Sequence, residues 1–205
     1  MPSSAYMQKR MQYLKGGTRP QAMLWSDNSG TLSDGYYIPN GIEGEDFIIV
    51  SDHNRSELSI SQQRIDNKQR MINGTMRSYW IADKLIISTG WSRLPSRAFS
   101  EDIEFDENGN IVNENYSSYT VDGGSGGVDI LSWYETHPNP FWVFLAYDKF
   151  KVNGISEYDK LGKYNQVVRM YFTAFDYSIE KRGSTWSNGD TGFDFWNINI
   201  SLEEV

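Results

Sequence analysis

His53 and His137 are the chain's two imidazoles, so any Ser-His-Asp hydrolase chemistry would run through one of them. Such a site needs an imidazole oriented by a carboxylate. His53 lies in Ser51-Asp52-His53-Asn54-Arg55, where Asp52 is the candidate orienting group, and His137 stands directly before Pro138. Neither is accompanied by a Gly-x-Ser-x-Gly elbow, which would present a nucleophile on a strand-to-helix turn. Both histidines are therefore expected to cap or hydrogen-bond, and the chain is expected to be no enzyme, with no catalytic residues and no cofactor.

Three further patterns could carry chemistry. Glu104, Asp106 and Asn108 followed by Gly109 imitate the first half of a calcium loop, in which oxygen ligands alternate and glycine permits a sharp turn. The twelfth position of that loop is Asn115 in place of the required Glu, so a plain hairpin turn is expected there and no metal site. The run Asp122-Gly123-Gly124-Ser125-Gly126-Gly127 precedes a predicted helix, as anion sites do. Asp122 and Asp129 would repel a phosphate, and a flexible connector is the simpler expectation. The 7 Trp and 13 Tyr invite a sugar-binding reading, but most occupy alternating strand positions or apolar runs, where core aromatics belong. With no cysteine, disulfides, thiolate zinc sites and cysteine nucleophiles are excluded.

The elements that position these residues are mostly strands. Aromatics make up 15% of the chain and 18 glycines supply turns, a composition that favours pleated, half-buried surfaces. Trp196, Ile198, Ile200 and Leu202 alternate with Asn197, Asn199, Ser201 and Glu203, the pattern of a strand with one face on a core. Val167 to Ile179 predicts a long strand with both faces covered. Leu85 to Trp91, Phe47 to Val50 and a first strand around Ala22 to Trp25 complete this set. Asn108-Gly109 between Phe105 and Ile111 predicts another hairpin. One helix is predicted over Val128 to Thr136, where Ile130, Trp133 and Tyr134 form an apolar stripe that Pro138 terminates.

The expected fold is mainly β: a sandwich or barrel with one short flanking helix, a long protruding hairpin and an extended N-terminal arm. Residues 1–35 hold the arm and first strand, and 36–205 form a single β-rich domain that includes the hairpin 64–83. At 205 residues the chain is long enough for one sizeable core.

That hairpin centres on Arg70-Met71-Ile72-Asn73-Gly74-Thr75-Met76-Arg77. A two-residue Asn73-Gly74 turn pairs Met71 with Met76, Arg70 with Arg77 and Arg64 with Asp83. One face then shows Ile65, Met71, Met76, Trp80 and Ala82. The other shows Arg64, Asp66, Lys68, Arg70, Arg77, Tyr79 and Asp83, a local charge of +2 that leaves -10 for the rest of a chain whose net charge is -8. Like charges directly opposite one another destabilise an antiparallel pair. The basic ribbon is therefore expected to lie on an acidic neighbouring copy, with Arg64, Lys68, Arg70 and Arg77 as interface residues. Lys9 and Arg10, in an N-terminal arm free of acids, are expected to dock similarly. The alternative is a helix from Gln62 to Ile72 capped at its C-terminus by Asn73-Gly74.

A pI near 4.8 argues against a general nucleic-acid binder, whose affinity comes from neutralising phosphates. The longest apolar run, Phe141 to Tyr147, is too short for a bilayer, and the first residues lack the apolar segment of a secretory signal, so folding in a cytoplasm is expected.

The phrases DHNRSEL (52–58), RMINGTMRSYWIADK (70–84), WSRLPSRAF (91–99), PFWVFLAYDKF (140–150) and FDFWNINISLEEV (193–205) together resemble tail structural proteins of long-tailed bacteriophages, the tail tube and related minor tail proteins. The resemblance spans most of the chain after about residue 36. It implies a β-sandwich or barrel with a flanking helix, hairpins or arms that pair with neighbouring copies, and stacked, hexameric rings around a conduit for genomic DNA in transit. It further implies other tail proteins as partners, location in the virion tail after assembly in the host cytoplasm, and no membrane. A receptor- or carbohydrate-binding β-domain at a tail tip is the alternative, and a glycan hydrolase using two carboxylates is a third.

Overall fold

A computed structural model describes residues 21–33, 35–99, 119–147, 164–183 and 192–205. Nine strands and one helix follow in order: β1 Met23–Ser26, β2 Thr31–Ser33, β3 Tyr36–Ile38, β4 Phe47–Val50, β5 Ser59–Arg70, β6 Met76–Pro95, α1 Gly127–Thr136, β7 Phe141–Leu145, β8 Gln166–Lys181 and β9 Phe195–Glu204. Seven strands form one antiparallel sheet in the order β4-β1-β7-β8-β9-β6-β5, while β2 and β3 pair with each other.

This sheet curls. In a flat sheet β4 and β6 would stand five strand spacings apart, about 24 Å. Yet the Trp91 indole on β6 donates to the Ser51 carbonyl just past β4 at 2.7 Å, and the Ser56 backbone N–H donates to the Gly90 carbonyl at 2.8 Å. The chain leaving β4 thus crosses directly to the opposite edge of the sheet. The mainly β architecture with one short helix and a protruding hairpin is as expected, and it takes the form of one large, curled antiparallel sheet, open between β4 and β5, with the β2-β3 pair beside it.

The curl encloses the main core, built from Met23, Trp25, Ile87, Trp91, Val143, Met170, Ile198 and Leu202 among others, with Ile130 and Trp133 of α1 closing it. The strict alternation of β9 follows, since Trp196, Ile198, Ile200 and Leu202 all point inward. A smaller cluster of Leu24, Phe47, Ile49, Phe144 and Tyr164 lies on the other face, with Tyr37 of β3 packed against it. Because β1 and β4 are covered on both faces, β4 is an unbroken apolar run and β1 is apolar up to the buried Ser26.

Two expectations are corrected. β8 is not covered along its length: Tyr171, Tyr177 and Ile179 are exposed, because β7 pairs only with Gln166 to Met170. Nor is the glycine run a loose connector. Asp122 accepts from the Ser51 hydroxyl at 2.7 Å and the Asp52 N–H at 2.6 Å, and Asp129 caps the Gly126 N–H at 2.9 Å. A Cβ on Gly124 would stand 2.5 Å from the Ser51 Cα, so glycine is needed here for close backbone approach. The Glu104–Asn115 loop, the Phe105–Ile111 hairpin and the arm with Lys9 and Arg10 lie outside the described residues.

Candidate subunit interface

Residues 59–95 form the expected hairpin, and the helical alternative for Gln62 to Ile72 is set aside. β9 pairs with β6 only from Ile86 onward, so among the described residues Met76 to Leu85 has β5 as its one strand neighbour. The free ribbon extends about 30 Å at the usual rise per residue.

The turn differs from the two-residue form. The Met71 N–H donates to the Thr75 carbonyl at 2.8 Å and the Gly74 N–H to the Met71 carbonyl at 2.9 Å, which leaves a three-residue loop, Ile72-Asn73-Gly74. Gly74 takes a φ of 80°, as the third residue of such a loop must. The Asn73 side chain accepts from the Thr75 N–H at 3.1 Å and its hydroxyl at 2.6 Å, which holds the loop closed.

One extra loop residue moves the register by one. Arg70 faces Met76, and Arg77 faces Gln69, so the two arginines are not opposed. Ile81 is left unpaired between Trp80 and Ala82, a bulge that restores the register, and Arg64 faces Asp83 as expected. The segregation into an apolar and a basic face is lost with the shift. Asp66, Lys68, Arg70, Met76, Ser78 and Trp80 now share one face, while Ile65, Asn67, Gln69, Arg77, Tyr79 and Ala82 share the other.

Part of the charge is satisfied within the chain. Arg64 meets Asp83 through two contacts, Nε to Oδ1 at 2.9 Å and Nη2 to Oδ2 at 3.2 Å. Lys68 lies 3.2 Å from Asp66, which also accepts from the Ser78 hydroxyl at 2.7 Å. The Arg64 hydrogen bond holds the Asp83 carboxyl below its usual range, and the Ser78 hydroxyl does the same for Asp66. Arg70 and Arg77 make no ion pair among the described residues.

The larger signal is apolar. Ile72 at the tip is fully exposed, and Trp80, Ile81, Met76 and Tyr79 are 64%, 63%, 58% and 57% exposed. Each of these residues was visible in the sequence, but hydropathy could not distinguish them from core residues, since whether a strand residue is buried depends on which other strands cover it. An aromatic platform for a sugar ring is not built here, because Tyr79 and Trp80 point to opposite faces of the ribbon.

Both histidines serve the fold. His53 Nδ1 accepts from the Val121 N–H at 3.0 Å, while Asp52 binds the Ala22 N–H at 3.1 Å and the Arg55 guanidinium at 2.9 Å. His137 stacks on Trp133 with centroids 3.7 Å apart and sets Nε2 2.9 Å from Asp27. Among the described residues no group of three or more His, Asp or Glu side chains is arranged to hold a metal ion, and no helix is long and apolar enough to cross a membrane. No family model matches the chain, and no curated protein matches it.

Proposed function

We propose that the chain is a structural subunit of a bacteriophage tail, the repeating unit of the tail tube, which self-assembles into stacked rings around a DNA conduit within the virion. The observation that carries this reading is the hairpin of β5 and β6, which leaves seven large apolar side chains exposed to water, while the apolar residues of the main core are enclosed. An isolated two-stranded ribbon is marginally stable in water, and apolar patches of this kind mark surfaces that another molecule covers. Arg70 and Arg77 at its far end suit the acidic body of a sister chain, since the protein carries a net charge of -8. The same acidic balance would let DNA pass without adhering, as a basic wall would hold phosphates.

Negative-stain electron microscopy of the purified protein over a range of concentration and salt tests this. Rings, tubes or short stacks are expected. A protein that stays monomeric at high concentration in both low and high salt would refute the reading.

A further inference from the structure

Not all of the uncovered apolar surface lies on the hairpin. We infer that a strip of aromatic rings between α1 and the outer half of β8, centred on Tyr134 and Tyr177, binds a neutral polysaccharide as a single chain. The inference goes beyond the subunit reading and does not require copies to associate.

β8 is 16 residues long, but β7 pairs with it only at Gln166 to Met170. Past that point Phe175, Tyr177 and Ile179 stand opposite Ile200, Ile198 and Trp196 of β9, on the face of the sheet that carries the main core. α1 lies along this face: a Cβ on Gly127 would stand 3.1 Å from the Trp196 ring, and Tyr134 reaches Phe172 and Phe175. The core face therefore emerges into water beside the helix, where Tyr134 and Tyr177 are 40% and 51% exposed.

The rings are held in two stacks. Tyr134 lies on Phe175 with centroids 4.3 Å apart and planes within 8°, and Tyr177 lies on Trp196 at 5.3 Å and 17°. Trp196 is buried beneath Tyr177, so what Tyr177 shows to water is its other face and its hydroxyl edge. Stacking fixes both tyrosines before a ligand arrives, which lowers the ordering cost that flexible side chains impose on binding.

Charge selects the occupant. An aromatic face carries negative charge density, which complements the slightly positive C–H bonds on the flat side of a pyranose. Nucleic-acid bases stack on rings as well, but the grooves that hold them are basic. Here α1 and β8 from Tyr171 to Lys181 carry Asp129, Glu135, Asp176 and Glu180 against a single base, Lys181. Phosphate chains and acidic glycans are therefore repelled, and an uncharged sugar is not. Shape selects further. Tyr134 is nearly parallel to Phe175, and Phe175 is inclined to Tyr177 by 52° with centroids 6.2 Å apart, so the two outer tyrosine faces are tilted against each other. Tilted faces follow the twist of one chain in solution and do not lie flat on a crystalline surface.

Native gels cast with soluble neutral polysaccharides test this: mixed-linkage β-glucan, galactomannan, arabinoxylan and dextran, with polygalacturonate as the anionic control. Retardation in at least one neutral gel and none in polygalacturonate is expected. In calorimetric titration with oligosaccharides of the retarding polymer, Tyr177→Ala and Tyr134→Ala should each weaken binding about tenfold or more. Tyr177→Phe, which keeps the ring and the stack, should stay within about twofold of the parent, and Tyr79→Ala on the hairpin should equal it. Free migration in all four neutral gels would overturn the inference, as would retardation that both alanine variants leave intact. Alanine variants that raise the association midpoint in sedimentation velocity, with no gel retarding the parent, would make the strip a contact between copies and refute the glycan. Retardation of a protein that stays monomeric throughout would support the glycan and refute the subunit reading, so the two fail separately.

Discussion

Truncation of Trp80 separates the stability of the subunit from the stability of the assembly. Its side chain is 64% exposed, so of the roughly 250 Å² that a tryptophan presents, about 160 Å² is still in contact with water. Full coverage by a neighbour would contribute up to ~4 kcal/mol at ~25 cal/mol per Å². Coverage of half, ~2 kcal/mol, already corresponds to about a thirtyfold change in association constant. Within the monomer the same residue opposes Asp66 across an exposed two-stranded ribbon, and its loss should change folding stability by about 0.5 kcal/mol or less. Trp80→Ala is therefore expected to move the midpoint of association, followed by sedimentation velocity over a concentration series, about thirtyfold upward. The thermal midpoint of the dilute protein should fall by only about 1–2 °C. An unchanged association midpoint would refute the idea that the ribbon is covered in the assembly. A drop of ten degrees or more in the dilute protein (about 3–5 kcal/mol) would refute it differently, by making Trp80 a residue of the fold.

Trp91→Phe removes the indole N–H that donates to the Ser51 carbonyl at 2.7 Å and should cost about 1–3 kcal/mol for the orphaned carbonyl alone, measured by urea unfolding. Gly74→Ala meets no atom within 4 Å but forces alanine to a φ of 80°, at about 1–2 kcal/mol. Amide exchange should accelerate about tenfold in the free ribbon and remain unchanged in β9. Asp66 and Asp83 have depressed carboxyl values, so their contribution to the ribbon is complete above the unfolded value near about 4 and is lost as pH falls through the lower folded values. Ribbon amides should lose protection on acidification in this window, and Asp83→Asn should flatten that dependence.

What could be read from the sequence follows from how local each decision is. The alternation of β9 and most of the stripe of α1 depend only on one element having one buried face, so Trp196, Ile198, Ile200, Leu202, Ile130 and Trp133 are legible without the neighbours, whereas Tyr134, the third residue of that stripe, is exposed. β8 failed the same reading. Tyr171, Tyr177 and Ile179 have the hydropathy of covered residues, and what exposes them is that β7 begins only at Phe141, opposite Met170, a boundary set about thirty residues away in sequence. The curl of the sheet was equally illegible, since it rests on a contact between Trp91 and Ser51 that no periodicity announces.

The ribbon's register turned on a finer choice. Asn73-Gly74 serves a two-residue turn, with both residues at positive φ, and equally a three-residue loop in which only Gly74 adopts it. In the second case Asn73 is free to place its carboxamide on Thr75, and that side-chain contact tips the balance. A one-residue change in the loop reverses which residues share a face, so the supposed confrontation of Arg70 and Arg77 and the clean basic face disappear together. What survives the shift is what does not depend on parity. Trp80, Ile81, Tyr79 and Met76 are exposed whichever face they occupy, because β9 ends its pairing with β6 at Ile86 and nothing described covers either face beyond it. The case for a neighbouring copy accordingly moves from charge repulsion inside the hairpin to uncovered apolar surface along it. That is the stronger ground, since burial of apolar area drives association while exposed charge pairs contribute little beyond orientation.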